Sequence, residues 1–322
     1  MPESILVYVG LDAVGDGLIK LPFVRALRAA FPQARITWMA GKGHTVFADT
    51  LAPLVTGLID EVLDEAGIGS RPQEILRRPL AGRAFDLIID TQRRLLTTLI
   101  LKRIRHSRFI SATGDFRFSD ARPKPGWVRP ASLAAQMMAL VEVAGGKTDQ
   151  AAFPLPRDEA TETLAERLLP EGGRYVGFAP GAGGRHKCWP LERYVALAAS
   201  LEDVVPVFLL GPAEAKDWAE TIRVALPRAL LPLQQAEVQS PMLTIALARH
   251  LCAAIANDSG TGHMLAAADI PLISLFGPTP ALKFAPITRH PHVIRAQDFG
   301  AESMDAIPLA AVTDVLRRLL ST

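Results

Sequence analysis

Short apolar runs alternate along the chain with longer segments whose apolar residues recur at helical spacing. Ile5–Val9 reads as a first strand, and Leu18, Ile19, Phe23, Leu27 and Ala30 then follow at the intervals of a helix with one buried face. Arg35–Ala40 and Phe85–Asp90 are further strands, the latter followed by a helical Leu95–Ile104 and a strand-like Arg108–Ser111. Strands separated by helices of this length build βαβ units around a parallel sheet. Residues 112–130 break the rhythm with three prolines and two glycines and read as a long loop, a feature that inside a domain usually serves function. Ala131–Ala144 is a helix ended by Gly145 and Gly146, and 146–157, with Pro154 and Pro156, reads as a linker. The rhythm then restarts. Tyr175–Ala179, Pro206–Leu210, Leu251–Ala256 and Pro271–Phe276 are strands, with helices Leu191–Leu201, Ala213–Ala225 and Thr261–Ala268 between them and an amphipathic Pro308–Leu320 at the end. The pattern predicts two α/β halves, 1–156 and 157–322.

Composition supports two globular domains: the 322 residues are 49% hydrophobic and 21% charged, which excludes disorder or coiled coil as a description of the whole. A net charge of +2 predicts no nucleic-acid partner. The charge is uneven, however. Residues 71–129 carry 14 Lys+Arg against 5 Asp+Glu, while residues 157–322 carry 15 against 18. A basic first half suits an anionic partner or a membrane surface, or is simply a solvated face. Two cysteines, Cys188 and Cys252, exclude a disulfide framework and a cysteine metal site, and point to a reducing, cytoplasmic setting. The N-terminus runs straight into the first strand without the basic region of a signal peptide, and no apolar run approaches the ~18 residues of a membrane span.

Four segments carry candidate chemistry. Gly10–Gly17 joins the first strand to the first helix, where ligand crevices of open α/β sheets lie; Asp16 there is either functional or the N-cap of a helix beginning near Leu18. It lacks the G-x-G-x-x-G dinucleotide fingerprint. The second strand, moreover, ends in Trp38-Met39-Ala40-Gly41-Lys42 without the acid that would hold a ribose, which argues against NAD. Ala179–Pro190 is a glycine-rich turn (Gly181, Ala182, Gly183) with Lys187. Its backbone N–H groups and ammonium suit a phosphate or diphosphate, though it is no Walker A motif, and a structural turn with a surface lysine remains the alternative. In Asn257–Met264, Asp258 or Ser259 can cap a helix whose N–H groups at Gly260 and beyond attract anions, with His263 on its first turn; a plain capped helix with a core histidine is the competing reading. Gly277-Pro278-Thr279-Pro280 is a further strand-end turn. Glu214, after Leu209-Leu210-Gly211-Pro212, is placed either to hold ribose hydroxyls or to cap the next helix, and the run Lys102–Arg108 reads as a basic helix end.

Taken together, these segments resemble the heptosyltransferase family of bacterial lipopolysaccharide synthesis, glycosyltransferase family 9. Three blocks between Ile5 and about Pro286 carry the likeness: Gly15-Asp16 with Leu21–Leu27; Pro180-Gly181 with Lys187 and Trp189–Tyr194; and Asn257–Gly260 with His263, Leu265–Ala268 and Leu275–Thr279. The resemblance implies a GT-B fold, two Rossmann-like domains facing a cleft, with the acceptor mainly on the first and the nucleotide sugar mainly on the second; the terminal helix 308–320 can pack back on the first. It implies an inverting, metal-independent transfer from an ADP-heptose-type donor, a co-substrate and not a cofactor, to a lipid-linked inner-core sugar, with peripheral contact at the cytoplasmic face of the inner membrane. Asp16 is then the catalytic base, with Asp12 in reserve. Gly181, Ala182, Gly183, Lys187, Glu214, Asp258, Ser259, Gly260 and His263 bind the donor, and Asp12, Arg117 and Arg122 bind the acceptor. Two departures stand out: Ala182-Gly183-Gly184 lacks the hydroxyls common in that loop, and Asp12 replaces a small hydroxyl residue. A GT-B-like sugar-nucleotide epimerase, a Rossmann oxidoreductase and a non-catalytic nucleotide-sugar-binding relative are the competing readings.

Overall fold

The structure, a computed structural model, describes residues 1–148 and 154–321. The chain divides into two compact units, Met1–Ala152 and Phe153–Thr322. Their junction falls in the expected linker, whose residues 149–153 lie outside the described ones.

The first unit contains β1 (Ser4–Val9), α1 (Val14–Ala30), β2 (Arg35–Ala40), α2 (Ala52–Val55), β3 (Glu61–Leu63), β4 (Ala84–Asp90), α3 (Leu95–Leu101), β5 (Arg105–Ser111) and α4 (Leu133–Ala144). All five strands are parallel, in the order β3-β2-β1-β4-β5. Val7 lies opposite Trp38 on one side and Ile89 on the other. On one face Leu6, Tyr8, Met39, Ile88 and Phe109 form a core with Leu101 and Ile104. The chain builds outward from β1 through β2 to β3, then returns to set β4 on the other side of β1. The loops at the C-terminal ends of β1 and β4 therefore diverge, and such a switch point opens a crevice at the sheet edge.

The second unit repeats the plan with α5 (Glu159–Leu168), β6 (Tyr175–Ala179), α6 (Leu191–Ala199), β7 (Val205–Phe208), α7 (Pro212–Ala225), α8 (Pro241–Ala248), β8 (Leu251–Asn257), α9 (Gly260–Ala267), β9 (Leu272–Phe276), α10 (Ala281–Phe284), β10 (Pro291–Arg295) and α11 (Leu309–Leu320). Its strands are parallel in the order β10-β9-β8-β6-β7, so the switch point lies between β6 and β8. Helices cover both faces: Tyr194, Ile222 and Leu316 pack with Phe178, Phe208 and Ile255 on one, and Ala165, Leu247 and Leu265 with Val207 and Ala254 on the other. Strands buried on both faces need apolar residues at every position, which is why they read as continuous apolar runs.

Several expectations are corrected. The helix after β1 begins at Val14, four residues before Leu18, so Asp16 sits inside its first turn and is not its N-cap. The helix after β4 ends at Leu101, and the basic run continues through a turn into β5. There the Arg108 guanidinium donates to the carbonyls of Val143 and Ala144 at 2.8 and 2.9 Å, closing the C-terminus of α4, where a cation is favoured. Within the second unit, Val312 and Leu316 of α11 are fully buried in the core around Trp189, whose indole N–H donates to the Ile307 carbonyl at 2.9 Å. Sequence periodicity misses α8, because Met242–Ala248 are all buried and leave no polar face to set a period. It also misses β3, a three-residue edge strand.

Candidate active site

At the switch point of the second unit, the turn after β6 meets the turn after β8. Asn257, the last residue of β8, is buried and binds three segments: its side-chain amide donates to the Pro180 carbonyl at 2.7 Å, and its oxygen accepts from the Trp189 N–H and the Tyr194 hydroxyl, both at 3.1 Å. The glycine-rich turn is thus held from both ends, which brings Lys187 across to Asp258, where ammonium and carboxylate lie 3.2 Å apart. Ser259 caps α9 by accepting from the Gly262 N–H at 3.2 Å, which leaves its own hydroxyl proton to donate. A side chain added at Gly260 would meet nothing within 4 Å, so the helix entrance is open. His263, on the first turn, is buried.

The third wall is the start of α7. Glu214, in its first turn, folds back over the glycine-rich turn. A Cβ on Gly181 would stand 2.5 Å from Glu214 Oε1, and one on Gly211 would stand 2.7 Å from Oε2. A side chain at 181 would therefore displace the Glu214 carboxylate, while the backbone conformation there places no demand on glycine. The arrangement therefore gathers Gly181, Ala182, Gly183, Lys187, Glu214, Asp258, Ser259 and Gly260 around one edge of the sheet: a carboxylate suited to hydroxyl groups, beside an ammonium and a helix entrance suited to phosphate oxygens. A separate concavity of about 630 Å³ on this unit is lined by Arg185, His186, Trp218, Pro278 and Met304 and by none of the predicted donor residues. Arg185 stacks over Trp218 at 4.5 Å there and pairs with Asp217.

In the first unit the two aspartates after β1 have different surroundings. Asp16 is half-buried, and its carboxylate accepts from the Ala13 N–H at 3.4 Å, half of a capping box. Asp12 is fully enclosed. One oxygen pairs with the Lys20 ammonium; the other accepts from Thr45 Oγ1 at 2.8 Å and from the Trp38 indole N–H at 3.2 Å. Asp12 thus ties the turn after β1 to the turn after β2, and its oxygens are occupied by protein. Arg117 and Arg122 are both exposed on the 112–130 loop, and Arg122 lines a surface concavity of about 510 Å³ together with Phe116, Lys124, Trp127 and Arg129. Gly114, Asp115 and Phe116 all have positive φ, a strained stretch at the base of this loop, and Asp115 is clamped by Arg129 and Arg93.

Residues 74–305 match the family described as glycosyltransferase family 9 (heptosyltransferase). The chain belongs to this family. It is a glycosyltransferase, as the resemblance implied. It is 34% identical over 142 residues to lipooligosaccharide heptosyltransferase 2 of Haemophilus influenzae, a match spanning 43% of this chain and 39% of that protein. It is 26% identical over 310 residues to lipopolysaccharide heptosyltransferase 2 of Salmonella typhimurium, spanning 90% of this chain and 87% of that one. The solved structure of E. coli ADP-heptose lps heptosyltransferase II is similar over 99% of this chain and 98% of that chain, with a TM-score of 0.68 at 23% identity. That likeness gives the fold as GT-B, the expected pair of Rossmann-like α/β domains.

Two residues that hold these turns in place escape a reading by segment. Asn257 reads in the sequence as the first residue of the turn after Leu251–Ala256, yet it closes β8 and its amide holds the glycine-rich turn together; a polar residue closing an apolar strand next to Asp-Ser-Gly was the available signal. Lys20 looks like a helix-surface lysine but is buried against Asp12. Its signal was its place between Ile19 and Leu21, on the apolar side of α1.

Proposed function

We propose that this glycosyltransferase moves a heptose or related sugar from an ADP-sugar donor to an inner-core saccharide of lipopolysaccharide, with inversion at the anomeric carbon and without a metal ion. The names of the similar proteins support the sugar and the acceptor class. The observation that supports the donor most is the meeting of Lys187, the Ser259-capped entrance of α9 and Glu214 at one switch point. In this reading Glu214 takes ribose hydroxyls and Lys187, Ser259, Gly260 and His263 take the diphosphate. Asp16 accepts the proton of the acceptor hydroxyl as its oxygen attacks the anomeric carbon. The bond from that carbon to the diphosphate oxygen breaks, and ADP departs as an anion whose charge is met by Lys187 and the N–H groups of α9. Asp16, with its half-buried carboxylate, suits the base better than Asp12, whose oxygens already serve Lys20, Thr45 and Trp38. Arg117 and Arg122 face an anionic, lipid-linked acceptor, which brings the enzyme into peripheral contact with the membrane carrying it.

The test is transfer from ADP-heptose to a deacylated inner-core acceptor. Asp16→Asn should fold normally and lose ~10²–10⁴ in rate, as expected for a general base. Lys187→Ala should weaken donor or transition-state binding by roughly 1.5–3 kcal/mol, and EDTA should change nothing. Near wild-type turnover in Asp16→Asn, or loss of activity in chelator restored by magnesium, would refute the mechanism.

A further inference from the structure

Asp16 stands on a helix turn that is seated from outside α1. Its carboxylate accepts from the Ala13 N–H at 3.4 Å, and Ala13 directly follows Asp12. Asp12 is clasped by the segment after β2. Its own N–H donates to the His44 carbonyl at 3.0 Å. One carboxylate oxygen accepts from Thr45 Oγ1 at 2.8 Å and from the Trp38 indole N–H at 3.2 Å, and the other is held by the Lys20 ammonium. Thr45 is itself fixed, because its N–H donates to the Asp64 carboxylate at 2.8 Å. A second contact closes the same joint. A Cβ on Gly17 would stand 2.7 Å from Val46 Cγ2 and 3.1 Å from Leu51 Cδ1, so the first turn of α1 rests directly on residues after β2.

Asp12 is buried, and both of its carboxylate oxygens serve protein donors. Such a group does not reach a substrate. Nor is stability a strong reason for it, since replacing a buried ion pair by apolar residues of similar volume is often neutral or stabilising. What the clasp supplies is one geometry: directional bonds from Trp38, Thr45 and Lys20 converge on a single side chain, and the next peptide N–H points at Asp16. A reacting group displaced by about 1 Å can cost roughly 10²-fold in rate.

We infer that Asp12 is a positioning residue for the transfer. Held by Thr45, Trp38 and Lys20, it sets the direction of the Ala13 N–H, and through that bond the line on which the Asp16 carboxylate meets the acceptor hydroxyl. The inference rests on the reading of Asp16 as the base.

The experiment compares Asp12→Asn with Asp12→Ala, each in a Lys20→Met background so that no buried cation is left without its counter-ion. Asparagine keeps an oxygen for Thr45 and Trp38, and alanine keeps none. Transfer from ADP-heptose to the deacylated acceptor is read as kcat and as KM for each substrate. Lys20→Met/Asp12→Ala should lose roughly ten- to hundredfold in kcat, with both KM values little changed. Lys20→Met/Asp12→Asn should recover most of that loss. Should the alanine version fail to fold, Thr45→Val takes one donor from Asp12 and should lower kcat in the same direction by a smaller factor. Equal kcat in the asparagine and alanine versions, a loss carried by the acceptor KM, or wild-type kcat in Thr45→Val would overturn the inference. Asp16→Asn measured alone tests the base. In an Asp16→Asn background, removal of the clasp should lower the residual rate no further, because the clasp acts through that carboxylate. A second full loss there would show that Asp12 acts independently of Asp16 and would also overturn the inference. The base and the clasp therefore fail in different variants.

Discussion

Asp90 offers a sharp test of the electrostatics beneath the first unit's sheet edge. Its carboxyl closes β4 and is fully buried. Burial raises its pKa from the ordinary 3.8 to about 6, against the hydrogen bonds from Thr98, Ser111 and the Gln92 N–H and the attraction of Lys42. The folded protein therefore holds this proton more tightly than the unfolded chain does. Between about pH 4 and pH 6 the native state keeps a proton that the unfolded state has released, so stability falls as pH rises through that window and stays lowered above it. A difference of about two units at 1.36 kcal/mol each makes the cost at neutral pH roughly 3 kcal/mol. Asp90→Asn removes the charge and keeps the shape. The amide oxygen can accept from the Gln92 N–H while the NH₂ group donates to the Thr98 and Ser111 hydroxyls. Thr98 can then donate to Thr113 at 2.8 Å, and Thr113 to the Gln92 carbonyl at 3.3 Å, which leaves the Ser111 hydroxyl proton as the one donor that gives up its acceptor. Hydrogen exchange of β1 and β4 peptides, followed by mass spectrometry from pH 4.5 to 7.5 and corrected for intrinsic rates, reads the local stability. The variant should lose the downward slope of the wild type and be the more stable protein at pH 7.5. Parallel profiles for the two proteins across that range would refute the reasoning.

Two further outcomes follow from the contacts. Gly181→Ala should push the Glu214 carboxylate out of its place, because the new methyl would stand 2.5 Å from Glu214 Oε1; as the displaced group is the end of a flexible side chain, melting should hardly change while the KM for donor rises, and unchanged donor KM would show that Glu214 does not serve the donor. Lys20→Met leaves the enclosed Asp12 carboxylate without its counter-ion and should cost roughly 3–5 kcal/mol of stability, most of it recovered in Lys20→Met/Asp12→Asn; urea denaturation of both variants checks this, and equal losses would mean the ion pair is not the cause.

The sequence by itself determined the strands that are buried on both faces. Ile5–Val9, Arg35–Ala40 and Tyr175–Ala179 are legible because a strand covered by helices on each side must be apolar throughout, and the turns at strand ends because ligand crevices of open sheets lie there and are marked by glycine, charged residues and helix caps. The Asp16 turn, Lys187 and Asp258–Gly260 were visible on that ground. What only the tertiary structure decided is which turns meet. Strand order is not written in local periodicity, so nothing in the sequence said that β8 lies beside β6 and brings Asp258 to Lys187, or that β4 lies beside β1 and brings Gln92 to Gly10. The fates of the charged residues were equally hidden. Asp12 and Asp16 are four residues apart and chemically identical, yet one is enclosed by Lys20, Trp38 and Thr45 while the other stands half-open in the first turn of α1. Ionisation and hydrogen bonding depend on distance and dielectric, which the chain acquires only when segments far apart in sequence pack together.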